Sequence, residues 1–227
     1  MEAVIITVAI LVGIAVLIGL IFAVGAYFER KRTEALEAVA KEHQLTFSAD
    51  ADERLLQRMQ IFDLFNKGRN KRMKNVMKAE TEIASMSIFD YSYITGGGKH
   101  TQHHLFTIVA MESNSLELPS FSLRPEGFFD KIGAMFGFQD INFDENPEFS
   151  RSFVLKGENE AAIRSFFDNE MLDLFTQRKG ISVECCPGLF IYMQGGRQRP
   201  EQIRDFMNDG FGLYSAFVER QNRSRSS

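Results

Sequence analysis

Phe89-Asp-Tyr-Ser-Tyr-Ile-Thr-Gly-Gly-Gly-Lys99 and, a few polar residues later, Leu105-Phe-Thr-Ile-Val-Ala-Met111 decide how most of this chain folds. Both runs are crowded with β-branched and aromatic residues, which pack well on a pleated surface. Gly96 to Gly98 interrupt the pattern and let the backbone reverse. The reading is one long hairpin with an extended tip: a strand region from Asn75 to Ile94 and a return strand from Leu105 to Met111.

Working outward, Leu45-Thr-Phe-Ser48 is a short strand. Asp50, three residues before Glu53, resembles a capping box opening a helix that carries Leu55, Leu56 and Met59. Phe62-Asp-Leu-Phe65 is apolar and ends in a turn at Gly68. On the other side, a strand from Phe121 to Leu123 stops at Pro125, and a Phe-rich helix is expected from Glu126 to Phe136. The acidic stretch Asp140 to Glu148 reads as a solvated boundary. Beyond it follow a strand (Ser152 to Leu155), a helix (Glu158 to Arg178), a hairpin turning at Pro187-Gly188 and a last helix from Pro200 to Arg220. Pro200 suits a first helical turn because it lacks an amide hydrogen. The fold class is therefore α+β, with antiparallel hairpins packed against helices. Phe62-Asp-Leu-Phe65 before Gly68 echoes Leu172-Asp-Leu-Phe175 before Gly180, so two related halves are one reading and coincidence is the other. The divisions expected are 29–44 as a charged helix, 45–138 and 150–220 as the two halves, 139–149 as a linker and 221–227 as a frayed polar tail.

Residues 1–28 read differently. Ala3 to Phe28 carry no charge, and Thr7 and Tyr27 are the clearly polar side chains. As a helix this run spans roughly 39 Å against a hydrocarbon core of roughly 30 Å, so it can cross a bilayer with some tilt. A cleaved signal peptide wants a basic start and a shorter apolar run. Here Glu2 is acidic and the run is long, so a retained single-pass anchor is expected. Arg30, Lys31 and Arg32 follow the run and only Glu2 precedes it, which places the N-terminus outside and the C-terminal domain in the cytoplasm. Ala15, Gly19 and Ala23 form a small-residue stripe of the kind that lets membrane helices pack closely. Homo-oligomerisation through this helix is one reading of the stripe; ordinary membrane-helix composition is the other.

Composition narrows the function. With 22 Phe, no Trp and 5 Pro, the chain can bury a core and is not a disordered segment. A net charge of −4 gives no global electrostatic case for nucleic acid. Cys185 and Cys186 are adjacent and have no third cysteine to pair with, which suits a reducing compartment.

Lys74-Asn-Val76, Phe89 to Lys99, Leu118-Pro-Ser-Phe-Ser-Leu-Arg-Pro-Glu126, Asp140-Ile-Asn-Phe-Asp144 and Phe149-Ser150 together resemble a family of uncharacterised bacterial membrane proteins. Its members look like a membrane helix followed by one domain carrying these motifs in this order. The resemblance covers nearly the whole chain. It implies a bacterial inner-membrane protein of this architecture and carries no activity, substrate or catalytic residue with it.

Two candidate sites stand out. His100, His103 and His104 cluster at the hairpin tip, and imidazoles so placed can share a transition metal. Without flanking Cys or Glu they fall short of a full ligand set, and neighbours on a strand point to opposite faces. Exposed loop histidines are the expectation; a metal-dependent binding domain or enzyme at the tip is the alternative. Lys67, Arg69, Lys71, Arg72 and Lys74 form a basic run which, with Arg30, Lys31 and Arg32, would lie close to an anionic leaflet. The readings are a solvated face first, lipid contact second and nucleic acid last. Gly96-Gly-Gly-Lys99 lacks the Ser or Thr and the following helix of a phosphate loop. Asp140, Asp144, Glu145 and Glu148 lack the glycine of a calcium loop. No cofactor is expected. The functional expectation is a membrane-anchored, non-enzymatic interaction or scaffold domain that binds a protein partner.

Overall fold

The computed structural model describes residues 1–82, 84–127, 139–178 and 180–226. Helix α1 (Glu2–Glu42) is one unbroken element, so the charged segment after Phe28 simply continues the apolar helix. Among the described residues eight strands follow: β1 (Thr46–Ser48), β2 (Arg69–Glu80), β3 (Ser85–Thr95), β4 (Gln102–Glu112), β5 (Phe121–Pro125), β6 (Phe153–Gly157), β7 (Ile181–Cys186) and β8 (Leu189–Gln194). They form a single sheet in the order β1-β2-β3-β4-β8-β7-β5-β6, antiparallel at every step. The fold is thus α+β, as the sequence implies.

Alternation along the strands feeds two cores, one on each face. On one face, Leu36 and Ala40 of α1 share a core with Ile88, Val109, Tyr192 and the Phe-rich second half of the chain. Helices α3 (Pro147–Ser152), α4 (Glu160–Phe166), α5 (Asn169–Thr176) and α6 (Ile203–Ser226) contribute to this side. Phe149, Phe153, Phe167, Phe175 and Phe217 pack ring against ring there, which is where much of the phenylalanine goes. On the opposite face, α2 (Glu53–Met59) and the following Phe62–Phe65 cover Phe89, Tyr91 and Tyr93. Short helices are stabilised at their starts: Asp52, Asn146, Asn159 and Asp168 each accept the amide hydrogen three residues on.

Several boundaries differ from the sequence reading. The region 75–94 is two strands joined by a turn, closed by the Thr81 amide on the Ala84 carbonyl at 2.9 Å. The region 158–178 is two helices, because Asp168 caps a new one. Asp52 rather than Asp50 caps α2. The acidic boundary runs into α3, and the last helix continues through the tail to Ser226. The two halves share one sheet, and their strand orders differ: β1 pairs directly with β2, whereas β5 lies between β6 and β7. The Phe-rich helix expected from Glu126 to Phe136 falls, beyond Gly127, outside the described residues.

Candidate functional site

The chemistry of this molecule concentrates where α1 meets the sheet. Asp90, in the middle of β3, points to the α1 side and is nearly buried, and its carboxylate accepts hydrogen bonds from four residues. Arg32 of α1 donates Nε to Oδ2 at 2.8 Å and Nη2 to Oδ1 at 2.7 Å. Thr107, directly opposite on β4, donates its hydroxyl to Oδ1 at 3.0 Å. Asn75 donates Nδ2 to Oδ2 at 2.9 Å, and Arg197, in the loop after β8, donates Nε and Nη2 to Oδ2, each at 3.2 Å. Arg197 also grips Glu29 of α1 with both terminal nitrogens. Arg32 Nη1 reaches the Gln198 carbonyl at 2.7 Å, and the Gln198 amide donates to Thr107 at 2.9 Å.

Local backbone geometry builds this joint. The register between β2 and β3 shifts between Lys74 and Met77, and Asn75 sits there at φ 52°. Asparagine tolerates this left-handed conformation better than most residues, and the bulge re-aims its side chain. Asn75 can then bond Asp90 with its nitrogen while its oxygen accepts from Thr33 of α1 at 2.9 Å.

The charges balance. Burial pushes the Asp90 carboxyl up, but the Arg32 hydrogen bonds and the Arg197 and Arg32 charges outweigh it, so the group sits below its ordinary range. Glu29 is likewise held low, first by its Arg197 hydrogen bond. Two arginines meet two carboxylates, and α1 is bound to β2, β3, β4 and the loop after β8 at one point. The expected candidate residues did not include Asp90, Asn75, Thr107, Glu29 or Arg197.

The basic residues singled out by sequence separate into distinct roles. Arg32, grouped by sequence with the exposed cations, instead has its side chain 12% exposed and engaged with Asp90. Lys67 is half-buried, its amine pushed down by burial and then by Arg124, so it too is withdrawn from the exposed basic surface. Arg30 and Lys31 are exposed and pair with Glu34. Arg69 donates to the Gly96 carbonyl of the tip. Lys71, Arg72 and Lys74 are exposed.

The three histidines do not converge in this structure. His100 lies in the tip turn, His103 is exposed, and His104 points to the opposite face. There His104 stacks on Tyr93 at 4.6 Å between centroids and hydrogen-bonds Thr95 at 2.7 Å. Burial lowers the affinity of the His104 ring for a proton. Among the described residues, no three His, Cys, Asp or Glu side chains gather in a metal-holding group.

Other features complete the picture. Arg124 and Glu184 form a fully buried ion pair on the α2 side of the sheet. Cys185 and Cys186 are both buried, and burial pushes the Cys186 thiol up to about 11. A groove of about 440 Å³ runs between the sheet and α6, lined by Met86, Met111, Phe211, Tyr214 and Val218 among others.

Together these features define an α+β protein with one helix long and apolar enough to cross a membrane, joined to its sheet by buried ion pairs. Comparison with protein-family models, with curated proteins and with solved structures finds no match.

Proposed function

We propose that this chain is a single-span protein of a bacterial inner membrane, with its N-terminus outside. Its α+β domain is held rigidly at the cytoplasmic face as a non-enzymatic interaction module for a protein partner. The observation that carries the reading is the joint around Asp90. Arg32 lies four residues beyond Phe28, about 6 Å along the helix, so a buried ionic contact grips the anchor almost where its apolar run ends. A domain on a flexible linker would need no such contact. Among the described residues the apolar run is exposed along its length, as a lipid-facing segment would be. The apolar groove beside α6 supports partner binding over catalysis, because exposed apolar surface of this kind marks recognition sites.

The test is fractionation and topology in bacterial cells. The full chain should stay in the membrane pellet after alkaline carbonate. The domain should resist protease added to intact spheroplasts and be digested once they are lysed. Release by carbonate refutes the anchor; digestion in intact spheroplasts refutes the orientation.

A further inference from the structure

We infer that a groove on the α1-facing side of β2, β3 and β4 holds the headgroup of an anionic phospholipid, its phosphate taken by Arg72 and Lys74 and its acyl stem lying against Leu105. This inference rests on the membrane reading proposed above and deepens it.

Strand register sets out the groove. Arg72 pairs across with Ser92, and Ser92 with Leu105; one step along on the same face, Lys74 pairs with Asp90, and Asp90 with Thr107. Two cations thus project from neighbouring same-face positions of a rigid strand, with a hydroxyl and a leucine in the adjoining row. A cleft of about 170 Å³ lies over these rows, bounded by Glu29 and Arg197. A second cleft of about 220 Å³ shares Arg72, Ser92 and Leu105 with it and continues toward Ile94 and His103.

Charge selects an anion. In the joint, Arg32 and Arg197 are matched by Asp90 and Glu29. Arg72 and Lys74 face the same space, and among the described residues neither makes an ion pair within 4.0 Å. The groove therefore carries an excess of two positive charges on its floor. An arginine fork beside a lysine point charge suits a phosphate.

Position and apolar content select a lipid over a soluble anion. Glu29 bounds the cleft and is the first residue after the apolar run, so the cleft opens at headgroup depth. Leu105 is 46% exposed, one of three large hydrophobics exposed beyond α1 among the described residues, and it stands beside the cations. A soluble phosphate would leave this leucine in water; the stem of a lipid would cover it.

The experiment uses the full chain reconstituted in bilayers of equal phosphatidylcholine and phosphatidylglycerol, followed by native mass spectrometry of the lipid that stays bound. Wild type should retain phosphatidylglycerol in preference. Arg72→Gln with Lys74→Gln should cut the retained ratio by about thirtyfold, the product of two basic contacts each worth roughly fivefold near a headgroup. Arg30→Gln with Lys31→Gln removes the same charge outside the groove and should leave the ratio near wild type. Both variants alter exposed side chains, so folding is not at stake. Equal losses in the two variants would mean general surface charge and overturn the groove, as would the absence of any preference in wild type that still resists carbonate. If wild type is itself released by carbonate, the membrane reading fails and this inference falls with it.

Discussion

Asp90→Asn is the most informative single change. It keeps the side chain's shape and one acceptor oxygen but removes the charge and turns the other oxygen into a donor. The Asp90 carboxylate now accepts two bonds from Arg32, two from Arg197, and one each from Asn75 and Thr107. In the variant an NH2 group meets arginine donors, and Arg32 loses the carboxylate it bonds while Arg197 keeps Glu29. Arg32 and Arg197 are only 12% and 19% exposed, so water cannot fully compensate them. Removing one partner of a buried pair costs about 3–5 kcal/mol. At about 2–4 °C per kcal/mol for a domain of this size, the melting temperature should fall by about 10 °C. The assay is thermal unfolding of the full chain in detergent, followed by near-ultraviolet circular dichroism of the buried tyrosines. A drop below about 2 °C would show that the joint contributes little and would refute the rigid-anchor argument. Arg32→Met combined with Asp90→Leu should recover part of the loss, because the orphaned charges are then gone together.

Acid should attack the same joint. Asp90 and Glu29 sit below their ordinary values in the folded protein, so their contribution is complete above about pH 5 and is lost as pH falls through their folded values. Stability should therefore decline below about pH 5, less steeply in Asp90→Asn; equal steepness in a pH series of melts would contradict this. Gly68→Ala should destabilise by about 2 kcal/mol in the same melts, because the backbone is at φ 66° and an added Cβ would lie 2.5 Å from the Ile94 carbonyl oxygen. Both cysteines should react with iodoacetamide only as fast as the protein unfolds, given burial and raised thiol pKa values; rapid labelling of the native chain would be inconsistent with the sheet placement. Zinc titrated calorimetrically into the full chain should give no saturable heat at low micromolar concentration, and such heat would restore the histidine site.

How much of this could be read from sequence depended on whether a signal was local. The apolar run of α1 and the paired runs of β3 and β4 declare themselves through composition and period alone. The turn between β2 and β3 does not. Glu80-Thr-Glu-Ile-Ala84 contains no Gly or Pro, and its closure relies on Thr81, whose hydroxyl donates to the Ala84 carbonyl and accepts from the Ala84 amide. The break at Asp168 was similarly masked, because apolar residues keep a helical spacing straight through it. Asp90 lay in plain view among Phe89, Tyr91 and Tyr93, and a lone acid in an aromatic strand is a signal. Its meaning depends on Arg32 and Arg197, 58 and 107 residues away, and no pattern in one sequence pairs residues across such distances.

The joint also constrains what α1 can do. Glu29, Arg32, Thr33, Leu36 and Ala40 meet the domain, and their spacing of three, four and seven places them on one stripe of α1. Because the helix is unbroken from Glu2 to Glu42, fixing this stripe also fixes the rotation of the apolar segment relative to the sheet. At 3.6 residues per turn, Ala15, Gly19 and Ala23 lie about a quarter-turn around from it. A second copy packing on that small-residue stripe would leave the stripe that grips the sheet free for its own domain. Packing on the small-residue stripe and gripping of the domain therefore do not compete for the same face of the helix.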